Sequence, residues 1–99
     1  MIKMERTCGC MHADVLHDGE KIGTMDGVYL TQWFVKNKYR FTGTFTRYFT
    51  DQLKYRKPGT KVDIVFPDKK IIIKEVCIEW VREPIGSGTF NASRIESCI

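Results

Sequence analysis

Apolar residues fall at every second position along much of this chain, the spacing that sends alternate side chains to opposite faces of a β-strand. In "VYLTQWFV", Val28, Leu30 and Phe34 share one face, while Tyr29, Thr31, Trp33 and Val35 share the other, so both faces carry apolar weight. After the polar triplet "KNK", the stretch "YRFTGTFTRY" sets Tyr39, Phe41, Gly43 and Phe45 against Arg40, Thr42, Thr44, Thr46 and Tyr48. This predicts a strand that buries Tyr39, Phe41 and Phe45. Its outer face is rich in threonine, whose branched side chain favours extended backbone and whose hydroxyl stays hydrated. The short connection makes the two strands an antiparallel hairpin.

The same reading extends in both directions. "HADVLH" and "EKIGTM" flank Asp18-Gly19, a dipeptide suited to tight hairpins because a positive backbone angle costs little there. The alternation lapses in "TDQLKYRKPGT", Thr50 to Thr60, which reads as a basic loop ending in the Pro58-Gly59 turn, with Thr50 as a cap for a brief helical turn. "KVDIVF" alternates through Val62, Ile64 and Phe66, and "PDKK" is a turn. In "IIIKEVCIEWVRE", Ile71 and Ile73 are apolar in one phase and Val76, Ile78 and Trp80 in the other, which calls for a bulge or bend around Lys74 and Glu75. "PIGSG" is a glycine-rich turn, and "TFNASRIESCI" alternates weakly after it. No segment holds a helical period. The expectation is a single all-β domain over residues 1–99, an antiparallel β-sandwich or small β-barrel of six to seven strands.

Composition refines this picture in three ways. With 99 residues, 42% hydrophobic and 28% charged, the chain is too apolar for disorder and has room for one small core. The N-terminus "MIKMERTCGCMH" lacks the apolar stretch of a signal peptide, and the longest apolar runs are far below the ~20 residues that span a bilayer, so a soluble, cytoplasmic or assembly-embedded protein is expected. The net charge of +4 is unevenly spread: residues 36–61 hold eight lysines and arginines against Asp51 alone, a local +7 that leaves −3 elsewhere. Two electrically different surfaces follow, one suited to a polyanion or an acidic neighbour.

Candidate chemistry is sparse. In "CGCMHADVLH", Cys8, Cys10, His12 and His17 are metal ligands by atom type, but C-x-C is tighter than the usual zinc spacing, and Cys77 and Cys98 stand alone. No helix follows the C-x-C pair to lower a thiol pKa, so reduced thiols are expected, with Cys77 as small filling beside Val76 and Ile78. The carboxylates are scattered. Glu75 and Glu79 share a strand face opposite Val76 and Ile78, as solvent-facing residues do, and "GSG" lacks the lysine and helix of a phosphate loop. No catalytic residue and no cofactor are expected.

Two readings account for more of the chain. A single-stranded nucleic-acid binder would combine the basic loop 47–61 with Tyr48 and Tyr55 as stacking residues. An assembling subunit would use the two-sided strand Val28–Val35, with Tyr29 and Trp33 as subunit contacts and Arg40, Arg47, Lys54, Arg56 and Lys57 as a basic contact surface. The order of elements resembles the tail-tube and related virion proteins of bacteriophages: the "HDGEKIG" hairpin, "VYLTQWFV", "YRFTGTFTRY", the basic loop, "KVDIVF" with "IIIKEVCIEW", and the closing "IGSGTFNASRIESCI". That resemblance implies a non-enzymatic β-sandwich subunit of a tail tube, neck or baseplate, joining copies of itself and other structural subunits edge to edge. It implies a virion location, assembly in the host cytoplasm, and nucleic acid as a further candidate partner. A metal-binding domain built on the N-terminal cysteines and histidines is the third reading.

Overall fold

Among the described residues, eight antiparallel strands form one sheet, and six of them close into a ring. The computed structural model describes residues 2–92 and 95–97, with side chains described for Gly9 and residues 11–92. The strands are β1 (Ile2–His17), β2 (Glu20–Val35), β3 (Lys38–Phe45), β4 (Arg47–Phe49), β5 (Lys61–Phe66), β6 (Ile71–Arg82), β7 (Ser87–Ala92) and β8 (Ile95–Ser97), with a single 3₁₀ turn at Leu53–Arg56. Two meanders, β1-β2-β3 and β5-β6-β7, meet at the pairs β3–β7 and β1–β5, which completes a small barrel. The ring is flanked by β4, which pairs with β2, and β8, which pairs with β6.

The turns behave as their residues dictate. Asp18 and Gly19 have φ of 52° and 81°, and Lys36 and Asn37 have 49° and 64°, the two positive angles of a tight hairpin turn whose twist matches its strands. The polar triplet thus closes the β2–β3 hairpin, with Val35 opposite Lys38 and Tyr29 opposite Thr44. The phase change around Lys74 and Glu75 is a β-bulge: Val62 pairs with Val76 and Ile64 with Ile73, so β6 has one more residue than β5 over that span. Glu75 takes up the irregularity at φ 52°, and its N–H donates to Asp63 Oδ1 at 3.1 Å.

A continuous apolar core fills the barrel, built from Met11, Ala13 and Val15 of β1, Val28 and Leu30 of β2, Phe41 and Phe45 of β3, Val62, Ile64 and Phe66 of β5, Ile73, Val76 and Ile78 of β6, and Phe90 of β7. Among the described residues it holds no buried charged side chain. Its closing feature lies on the β3–β7 pair. Gly43 faces Phe90 and Phe45 faces Gly88 in register, so each phenylalanine ring occupies the space a side chain would need across from it. The two rings stack with centroids 6.4 Å apart and planes 10° from parallel.

Three side chains depart from the alternation. Tyr39 is half exposed, not buried: the core ends at Phe41, and Tyr39 lies beyond it against Phe34, with ring centroids 5.1 Å apart. Trp80 is exposed because a second bulge in β6 shifts the register between Ile78, opposite Phe90, and Trp80, opposite Thr89. The intervening Glu79 accepts hydrogen bonds from Thr89 at 2.8 Å and Asn91 at 3.1 Å. Tyr48 is buried at 2% exposure rather than lying with the arginines, because Thr46 breaks the strand and β4 restarts with its middle residue pointing inward. The break sits opposite Gly27, whose φ of +60° lets Asp26 O accept from both the N–H and the hydroxyl of Thr46.

The β3–β7 pair can be tested directly. Gly43→Ala puts a methyl group into the fully buried Phe90 ring and should cost about 1–3 kcal/mol in urea unfolding. Gly43→Ala combined with Phe90→Ala should lose clearly less than the sum of the two single changes, since the methyl then has space. Simple additivity would show that the two positions do not share that space.

Candidate functional site

Two surface regions hold the residues singled out in the sequence. The first is an arm. β1 pairs with β5 only from Asp14 to Leu16, and β3 pairs with β7 only from Phe41 onward. The first residues of β1, the end of β2 from Trp33 and the start of β3 up to Arg40 therefore continue past the barrel as a three-stranded ribbon. Tyr29, Thr31, Trp33 and Val35 share one face of β2, with Arg40 opposite Trp33. Tyr29 is 43% exposed, whereas Trp33 is half-buried, its indole lying along the sheet as Nε1 donates to Thr42 Oγ1 at 2.7 Å. The segment "CGC" lies on β1 next to Leu30. Cys8 pairs with Leu30 and Met11 with Val28, so β1 bulges around Gly9 and Cys10, and the Tyr29 ring covers Gly9.

The second region is an open groove of about 530 Å³ where β4, the 3₁₀ turn and the β6–β7 turn converge. Arg56 organises it. Its Nε and Nη2 donate to the two carboxylate oxygens of Glu83 at 2.5 and 2.7 Å, and its Nη1 donates to Tyr48 O at 2.6 Å. Together with the Tyr48 N–H, which donates to Gly86 O at 2.8 Å, this covers the backbone edge that β4 would otherwise present. The Arg56 guanidinium also lies 5.5 Å from the Tyr48 ring centroid. Burial pushes the Tyr48 hydroxyl up to about 12, and it donates to Tyr55 O at 3.0 Å. Phe49, Leu53 and Ile85 surround this polar floor and are 55%, 74% and 63% exposed.

The structure therefore divides the expected basic surface. Arg47 and Arg56 line the groove, Lys54 and Lys57 stand on the loop beside it, and Arg40 belongs to the arm. Arg56 is committed to Glu83, while Arg47 and Lys57 have no ion pair among the described residues and Lys54 lies over the Tyr55 ring at 5.1 Å. Thr50 does not cap the 3₁₀ turn, whose N-cap position is Gln52; it steadies the loop ahead of the turn, accepting from the Gln52 N–H at 3.2 Å and donating to Ile22 O at 2.7 Å. Sequence reasoning missed Phe49, Leu53, Ile85 and Glu83. Phe49 had a readable signal, its shared parity with Arg47 on a three-residue strand. The pairing of Glu83 with Arg56, 27 residues away, had none.

The N-terminal ligand set is not brought together among the described residues. His12 Nδ1 lies 2.6 Å from Asp26 Oδ1 and its Nε2 3.6 Å from Asp14, which is itself 3.2 Å from Lys21 Nζ. His17 is elsewhere, with its ring 5.0 Å from that of Tyr55. The side chains of Cys8 and Cys10 lie outside the described residues, as does Cys98. No group of three or more metal-ligating side chains occurs among those described. Likewise, no helix among them is long and apolar enough to cross a membrane.

Comparison with protein-family models, curated proteins and solved structures found no match to this chain.

Two pH responses follow from these contacts. The Asp26 hydrogen bond, aided by the charges of Asp26 and Asp14 and opposed by burial, raises the His12 pKa above its ordinary 6.5. Its contribution to stability is then fully present below pH 6.5 and fades as pH rises through the folded value. His12→Gln should narrow that pH dependence, and titration of the His12 ring by NMR should give a midpoint above 6.5; a midpoint at or below it would contradict the assignment. The Arg56 hydrogen bonds hold the Glu83 pKa below its ordinary 4.5, so their contribution is present above pH 4.5 and lost as acid protonates the folded carboxylate. Glu83→Gln should be less stable than the parent at pH 7, and the gap should close on acidification.

Proposed function

We propose that this protein is a non-enzymatic structural subunit that joins copies of itself and other structural subunits through strand edges and loops. The observation that carries this reading is the outer edge of β1. From Ile2 to Ala13 no strand among the described residues pairs with it, whereas β4 has its edge covered by Gly86 and Arg56. At about 3.3 Å per residue such an edge runs roughly 35–40 Å. An open edge of that length is a template for pairing with another chain. The arm also carries the half-buried Trp33, Phe34 and Val35 beyond the end of the core, apolar area that a neighbouring subunit would cover. The resemblance in element order to phage tail-tube and related proteins directs the reading to a virion component of the tail tube, neck or baseplate.

Light scattering across protein concentration should give a species heavier than the 11.5 kDa chain, with mass rising as concentration rises. Trp33→Ala should weaken association by about tenfold or more, as truncating an aromatic anchor does. Thr42→Val removes only the partner of the indole N–H and should leave the mass nearly unchanged. A mass of one chain at every concentration would overturn self-assembly, and an unaffected Trp33→Ala would remove Trp33 from the contact.

A further inference from the structure

The groove at β4 has a chemistry that the arm does not share, and we propose that it binds single-stranded nucleic acid, with Phe49 as the stacking residue. Strand β4 alternates exposed, buried, exposed, so Arg47 and Phe49 project on the same side while Tyr48 fills the core. A cation and an aromatic ring two residues apart on one strand face are the pair that single-strand binding uses, the ring for a base and the cation for a phosphate. Tyr48, the residue the sequence offers for stacking, is enclosed, and Phe49 is the ring that is 55% exposed at the groove.

Charge complementarity selects the occupant. Arg47, Lys54 and Lys57 are exposed, and none has an ion-pair partner among the described residues, while the acidic group in the groove lining, Glu83, is neutralised by Arg56. Across residues 36–61 the one acid is Asp51. The excess is positive and solvated, as a phosphate backbone requires. The exposed apolar groups Leu53, Pro84 and Ile85 complete a surface that reads no base edge but offers area to sugar and base faces. Recognition would thus be tolerant of sequence. The groove is open rather than enclosed, which suits a chain passing across it.

The probe is a fluorescent oligothymidylate of about eight nucleotides, within the span one small barrel engages. Binding measured by anisotropy at low salt should weaken steeply with salt. Three phosphate contacts through Arg47, Lys54 and Lys57 give a slope of log K against log salt of about −2, and Lys54→Gln with Lys57→Gln should reduce it by about 1.4. Phe49→Ala should weaken binding by about tenfold with the slope unchanged. All three positions are exposed, so thermal melting should show the variants folded. No binding at low salt, or binding indifferent to Phe49, overturns the proposal. So does a Phe49→Ala variant that alters the solution mass but not oligonucleotide affinity, which would assign the groove to a protein contact. Because the arm and groove variants are separate, failure here leaves the assembly reading standing, and failure of Trp33→Ala leaves this one.

Discussion

The barrel depends on how β3 meets β7. Closing a sheet of two short meanders requires a seam that pairs well on the backbone and leaves no void inside, and the seam achieves both by alternating large with small: Phe41 opposite Ala92, Gly43 opposite Phe90, Phe45 opposite Gly88. The Phe90 and Phe45 rings fill the space above Gly43 and Gly88, and these two rings stack. Two phenylalanines directly opposite each other would overfill the barrel, and two glycines would leave a cavity. The other junction, β1–β5, has only three paired positions, so β3–β7 carries more of the closure.

Once the ring is closed, bulges determine which residues reach solvent. One at Lys74–Glu75 returns Val76 and Ile78 to the core after Ile73, and another at Glu79 turns Trp80 outward. On β1 the bulge at Gly9–Cys10 sets two residues against Tyr29 alone. On β2 the irregularity at Asp26–Gly27 hands its edge from β3 to β4, and this places Arg47 and Phe49 beside the 3₁₀ turn. At Asp26–Gly27 the extra residue coincides with a change of partner, whereas at Gly9–Cys10 the β1–β2 pairing continues on both sides.

Much of the fold was legible because period two is a local signal. The strand at Lys61–Phe66, both tight hairpin turns and the phase change before Val76 follow from residues within a few positions of one another. The strand Ile2–Cys10 was harder to see, since charged and small residues mask its alternation and its pairing with Leu30–Val35 is long-range. Parity misplaces Tyr39, Tyr48 and Trp80 because it runs on through a strand, whereas the end of the core past Phe41, the break at Thr46 and the bulge at Glu79 leave no mark in the alternation. The groove was the least legible feature. Its parts, Phe49, Leu53, Arg56, Glu83 and Ile85, come from three separate segments, and the local signals are the excess of positive charge and the shared parity of Arg47 and Phe49, not the meeting of the segments.

If another chain completes the open edge of β1, the backbone amides of that edge gain protection only in the assembled state. Amide hydrogen exchange read residue by residue along β1, at low and high protein concentration, tests it most directly. Amides directed away from β2 between Ile2 and Ala13 should exchange rapidly in dilute protein and become protected as concentration rises, while those of β5 and β7 stay protected throughout. Rapid exchange along that edge at every concentration would contradict it.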